Sequence, residues 1–208
     1  MLGGLRKAVR RALRPFSGLA RQVAIHPNVV TAIGIAFSSL AAYLLIVREP
    51  VWAAVCIAVS GALDVLDGFY ARTLHLRSRF GGTLDATFDR YGEFLIAMGA
   101  AMGGYVSWEL AAFAIFSMLV PSYVRARAES TGGMRNCSVG LIERPEKLLL
   151  LAGASILETL YGNALAWGFV VILVLGQVTA AQRLWATWDH SQRVQAMRAH
   201  QATGEEPR

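Results

Sequence analysis

Asp64-Val65-Leu66-Asp67-Gly68-Phe69-Tyr70-Ala71-Arg72, followed by Gly81-Gly82-Thr83-Leu84-Asp85-Ala86-Thr87-Phe88-Asp89, decides how this chain is read. Asp64 and Asp67 are three residues apart, and Asp85 and Asp89 are four apart. On helices, each pair falls on one face. Both stretches border apolar runs, so four carboxylates meet near a hydrocarbon layer. There they repel one another and are poorly hydrated, and each tends to hold a proton unless a cation is present. Divalent metal ions resolve that conflict. An all-oxygen ligand set points to Mg2+ or Mn2+, with Ca2+ also possible. Four acidic groups suffice for two ions bridging a phosphate, which suits displacement at phosphorus. Gly68 and Ala71 leave room beside the acids, and Gly81 permits close backbone approach before the second pair. Arg72 is placed to meet a phosphate or one of the acids.

The surroundings of these acids are those of a membrane protein. The chain of 208 residues is 55% hydrophobic and only 16% charged, too little charge to cover a soluble domain of this size. Six apolar segments run over 29–47, 51–71, 83–104, 108–127, 146–161 and 164–186. About twenty residues at helical rise cross the hydrocarbon layer, so six transmembrane helices are expected, the fifth being short. Nearly all arginines and lysines fall before the first segment, in the 72–81 and 125–147 connections, and after the last. The alternate connections hold only Arg48. By the positive-inside tendency, both termini, the two basic loops and the acidic cluster face the cytoplasm of a multi-pass protein in the cell membrane.

Three regions follow from this pattern. Residues 1–22 space Leu2, Leu5, Val9, Leu13 and Phe16 between Arg6, Lys7, Arg10, Arg11, Arg14 and Arg21, which predicts an amphipathic interfacial helix. Residues 23–188 form the six-helix unit. Residues 189–208 are expected to be a helix end fading into a polar, disordered tail. The net charge of +6 is explained by an anionic membrane surface and phosphorylated ligands rather than by nucleic acid. Cys56 and Cys137 suggest neither a disulfide framework nor a thiolate metal site.

The quoted stretch matches D-x-x-D-G-x-x-A-R, eight residues, then G-x-x-x-D-x-x-x-D, with no position missing. It resembles the signature of the CDP-alcohol phosphotransferases. The resemblance implies a six-helix membrane fold, usually a homodimer, with a cytoplasmic active site. It implies that Asp64, Asp67, Asp85 and Asp89 hold two divalent ions, Mg2+ or alternatively Mn2+. Asp89 is then also the general base. Pro27-Asn28-Val29-Val30-Thr31 resembles a further element of the family, so the resemblance places Asn28, Thr31, Gly68, Arg72 and Ser78 around the CDP group. Read alone, Asn28 and Thr31 are equally an ordinary helix start.

Three basic segments bear on the acceptor: Tyr123-Val124-Arg125-Ala126-Arg127, Glu143-Arg144-Pro145-Glu146-Lys147 and Gln182-Arg183-Leu184. Near the metal site they suit a phosphorylated acceptor, although positive-inside anchoring accounts for any single arginine. Glu143-Arg144-Pro145-Glu146 also reads as a helix start with proline in the first turn. The segments resemble those of phosphatidylinositol-phosphate synthases and their archaeal counterparts. That resemblance implies that Arg125, Arg144 and Arg183 bind the phosphate of inositol 1-phosphate. The donor would be CDP-diacylglycerol or CDP-archaeol. The alternatives are a phosphatidylglycerol-phosphate synthase using glycerol 3-phosphate and, in a different class, a divalent-metal transporter. Against transport, the acids cluster at one face and no second set of ionisable groups continues a path across. Gly99 and Gly103 form a small-xxx-small pair, a packing face either within the chain or between chains.

Overall fold

The computed structural model describes residues 27–73 and 78–203, with side chains for residues 28–66, 78 and 80–197. The interfacial helix expected over residues 1–22 lies outside the described residues. Among the described residues there are six α-helices and no strand: α1 Pro27–Ile46, α2 Pro50–Thr73, α3 Arg79–Met102, α4 Trp108–Ser130, α5 Arg144–Leu157 and α6 Ala164–Thr203. Each coincides with one apolar segment of the sequence. Three are long and apolar enough to cross a membrane: Asn28–Ile46 of α1, all of α4, and Ala164–Met197 of α6. The uninterrupted apolar part of α2 is only Pro50–Leu66, because its acids follow. Asp85, Asp89, Arg90 and Glu93 break the apolar run of α3. In α5 there are just 14 residues. Large apolar side chains such as Trp52, Phe113, Phe116, Leu160, Trp167 and Trp185 stand exposed, as in an all-helical protein whose outer surface meets lipid.

The helices close a ring. α1 packs on α2 and α3, α2 on α5, α5 on α6, α6 on α4, and α4 on α3. Although consecutive in sequence, α2 and α3 pack chiefly against α1 rather than against each other. Leu45, Ile57, Ile96, Met118, Leu148, Leu151 and Phe169 fill the common core. Small residues set the close approaches. A Cβ on Gly99 would lie 2.6 Å from the Ala42 Cα, and one on Gly103 would strike the Leu45 carbonyl. The Gly99/Gly103 pair is therefore used inside the chain, to seat α3 on α1. At the other seam, Pro121 has no N–H, so the Ser117 carbonyl loses its usual helical partner. Gly176 of α6 sits directly against that carbonyl, and the Gln177 amide donates to the Ser117 hydroxyl at 2.7 Å.

Two features beyond the helices position the site. The connection 131–143 is tied down at both ends. The Glu129 carboxylate accepts the Cys137 N–H at 3.0 Å, and the buried Thr179 hydroxyl accepts the N–H groups of Leu141 and Ile142, each at 3.3 Å. Helix α6 continues unbroken through Asp189 to Thr203, further than the polar tail expected from residue 189. An Asp189–Arg193 ion pair at 2.9 Å, one turn apart, and a run of helix-favouring Gln, Ala, Met and Arg carry it on. Both cysteines are buried and unpaired.

Candidate metal centre

Asp64 leaves α2 and Asp85 and Asp89 leave α3, the two helices that flank α1. Their carboxylate oxygens converge to within 4.8 Å of one another. Helical spacing puts Asp85 and Asp89 on one face, and the seating of α3 on α1 turns that face toward Asp64. Asp67 lies three residues beyond Asp64 in α2; its side chain, like those of Gly68 and Arg72, lies outside the described residues. The donor set fits a hard divalent cation. One Asp85 oxygen is buried without a hydrogen-bond partner, a costly state for a carboxylate unless a cation meets it.

A cation of the protein itself also reaches this centre. The Nη1 of Arg144 lies 2.7 Å from Asp64 and 2.5 Å from Asp89. Arg144 opens α5, where Pro145 and a Glu146 carboxylate accepting the Glu143 N–H at 3.0 Å start the helix. One turn on, Lys147 is 5% exposed and ion-paired with Glu93, itself 3% exposed. Glu93 also holds Arg90 at 2.6 Å, and Arg90 donates to the Met118 carbonyl at 3.0 Å. The first turn of α5 thus inserts two cations among four carboxylates of α2 and α3. Gly92 lets α3 approach α1 beside this group: a Cβ there would lie 2.9 Å from the Ser38 hydroxyl.

Beside the acids is a small open cleft, lined by Thr31, Gly34, Ser60, Asp64, Asp89 and Arg144 among others. Ser78 caps α3, its hydroxyl accepting the Gly81 N–H at 2.8 Å. Gly81 in turn lies against Asn28, whose Oδ1 would be 3.1 Å from a Cβ at that position. Asn28, Ser78 and Gly81 are thereby gathered at the end of the α1–α3 seam, with Thr31 one turn further along α1.

The three basic residues expected at an acceptor pocket are differently engaged. Arg183, 5% exposed, donates through Nε to the Val139 carbonyl at 2.8 Å and through Nη1 to the Pro121 carbonyl at 2.7 Å. Arg125, half-exposed, pairs with Glu129 at 3.0 Å and donates to Asn136 at 3.4 Å. Arg125 and Arg183 are electrostatic neighbours. Arg144 instead faces the acids.

Residues 24–179 match the CDP-alcohol phosphatidyltransferase family. The chain belongs to this family. It is 32% identical over 185 residues to the archaetidylinositol phosphate synthase of Pyrococcus horikoshii, covering 89% of this chain and 95% of that one. Among solved structures, it resembles the phosphatidylinositol phosphate synthase of Mycobacterium tuberculosis with CDP-DAG bound. The TM-score is 0.73 at 28% identity, over 84% of this chain and 94% of that one. The same enzyme in complex with manganese and citrate gives a TM-score of 0.72 at 27% identity, over 84% and 88% of the two chains. The chain is accordingly a CDP-alcohol phosphotransferase of phospholipid biosynthesis.

Within this family member, the Arg90–Glu93–Lys147 group was not singled out by sequence reading. Glu93 continues the four-residue spacing of Asp85 and Asp89, so an acid at the third step of one helical face was the available signal. For Lys147 the signal was its three-residue spacing from Arg144.

Proposed function

We propose that the chain transfers the lipid phosphate group of a CDP-linked lipid, CDP-diacylglycerol or CDP-archaeol, to inositol 1-phosphate and releases CMP. The observation that carries this is the meeting of Asp64, Asp85 and Asp89 beside a cleft in a chain similar along nearly its whole length to an archaetidylinositol phosphate synthase. The three basic residues support a phosphorylated acceptor. Two of the three guanidinium nitrogens of Arg183 donate to backbone carbonyls, which fixes the direction of the residue.

Asn28, Thr31, Gly68, Arg72 and Ser78 hold the CDP group, the lipid tails remaining in the bilayer. Two divalent ions, Mg2+ or Mn2+, held by Asp64, Asp67, Asp85 and Asp89 would supply neutralisation of the diphosphate and polarise it toward displacement. Arg125, Arg144 and Arg183 orient the acceptor by its phosphate. A carboxylate oxygen of Asp89 takes the proton of an inositol hydroxyl, whose oxygen bonds to the lipid-side phosphorus. The phosphorus–oxygen bond to CMP breaks, CMP keeps the electron pair, and Arg72 stabilises its charge. Six membrane-crossing helices, with termini and centre at the cytoplasmic face, fit the placement of basic residues. The family resemblance supports a homodimer.

CMP release by purified protein in lipid, with CDP-lipid and Mg2+, tests the reading. Release is expected with inositol 1-phosphate, and not with free inositol or glycerol 3-phosphate. Release with glycerol 3-phosphate alone would reassign the acceptor, and metal flux without CMP release would point to transport. Asp89→Asn should cut turnover by about 10²–10⁴-fold while donor binding remains detectable.

A further inference from the structure

Arg144 pairs with the acids in an incompletely satisfied way. One nitrogen, Nη1, serves both Asp64 and Asp89, so this is not the bidentate geometry in which guanidinium and carboxylate bind most strongly. The Arg144 Nε is buried without a hydrogen-bond partner, and so is the Asp85 Oδ1. Arg144 thus contacts two of the three converging carboxylates and leaves an Asp85 oxygen unmet. The other nearby cations are already engaged. Lys147 is held by Glu93, and Arg90 lies 3.8 Å from Asp89 but 2.6 Å from Glu93. A divalent ion held by Asp64, Asp85 and Asp89 would draw on the carboxylates that Arg144 contacts. The guanidinium and the ion then compete for them.

What remains if Arg144 lets go is equally specific. The Lys147–Glu93 pair, one turn further along α5, is buried and uses none of the three aspartates. It keeps the first turn of α5 against α3 while the Arg144 side chain alone moves. Arg144 also lines the cleft, so its released guanidinium stays beside any anion bound there. We infer that Arg144 is an exchangeable cation: it competes with a divalent ion for Asp64 and Asp89, and on ion binding its guanidinium turns to an anionic phosphate group in the cleft. The second half rests on the phosphotransferase reading above; the first does not. Ion and phosphate then bind cooperatively, and linkage makes the effect reciprocal.

The test is Mn2+ binding to the full chain in lipid nanodiscs, with no donor or acceptor present, read by the loss of free-Mn2+ resonance. Removing the competitor in Arg144→Gln should tighten Mn2+ binding by about tenfold. Arg144→Lys, which keeps a charge without the fork of donors, should fall between that variant and wild type, and serves if Arg144→Gln does not fold. Unchanged or weaker Mn2+ binding in a folded variant overturns the inference, because a merely structural arginine would not oppose the ion. In the second arm, Mg2+ should tighten inositol 1-phosphate binding to wild type and leave Arg144→Gln unaffected. Equal tightening in both would refute the handover. If the acceptor assignment failed instead, CMP release would appear with another acceptor, and the Mn2+ result would stand.

Discussion

Replacing Lys147 with methionine removes the ammonium group that Glu93 holds, and keeps a side chain of similar length in a space closed to solvent. The two side chains are 7% and 3% exposed, so the pair is screened little by water. Deleting one partner of a buried pair costs about 3–5 kcal/mol. Glu93 retains Arg90 at 2.6 Å and is not stranded, which places the expected loss at the lower end, about 3 kcal/mol. For a chain of 208 residues, each kcal/mol shifts Tm by roughly 2–4 °C, giving a drop of about 6–12 °C. The double variant Lys147→Met/Glu93→Gln removes both charges together. Neutral replacement of a whole buried pair is often nearly free of cost, and Arg90 keeps the Met118 carbonyl, so the double variant should recover at least half the loss. Thermal unfolding in detergent, followed by tryptophan fluorescence, measures wild type, the Lys147→Met and Glu93→Gln single variants and the double variant. A Lys147→Met Tm within a degree of wild type would refute the reasoning. So would a double variant whose loss equals the sum of the two single losses.

Three further outcomes follow from the geometry. Gly99→Ala sets a methyl group 2.6 Å from the Ala42 backbone, which can yield only by parting α1 from α3; a loss of about 1–3 kcal/mol is expected in thermal unfolding, while Gly153→Ala, with nothing within 4 Å, should not destabilise. The Glu129 carboxylate accepts the Cys137 N–H at 3.0 Å and pairs with Arg125, which ties the 131–143 connection over the buried Cys137. Glu129→Gln removes the charge from both contacts, so reaction of Cys137 with a dithiopyridine should be faster in that variant than in wild type, and equal rates would refute the tie. Arg183→Lys replaces the two spaced donors that reach the Val139 and Pro121 carbonyls by a single nitrogen; a loss of about 1–3 kcal/mol in stability should accompany a higher KM for inositol 1-phosphate, with the donor KM unchanged.

Much of this molecule can be read along one dimension. Apolar runs interrupted by basic connections mark the helices, because burying a backbone in hydrocarbon leaves helix as its local solution. The acids at three- and four-residue spacing mark a shared face, and the fixed spacing of the whole signature marks the family. The same spacing rule reaches Glu93 once Asp85 and Asp89 are taken as the first two steps of one stripe. Where α6 stops was less legible, because the local ion pair and helix-favouring residues beyond Asp189 carry the helix past the end of the apolar run.

Periodicity names faces, not the partners those faces meet. That α2 and α3 pack on α1 rather than on each other depends on which surfaces can approach closely, and Gly99 and Gly103 against Ala42 and Leu45 decide it. The partner of each cation was also a tertiary matter. Arg125, Arg144 and Arg183 look alike in sequence, yet one pairs with a glutamate on its own helix, one lies on the clustered aspartates and one braces two backbone carbonyls. Charge alone attracts any acid. Only the packing of α5 on α2, with the side chains of its first turn reaching α3, determines that Arg144 meets Asp64 and Asp89 while Lys147 meets Glu93.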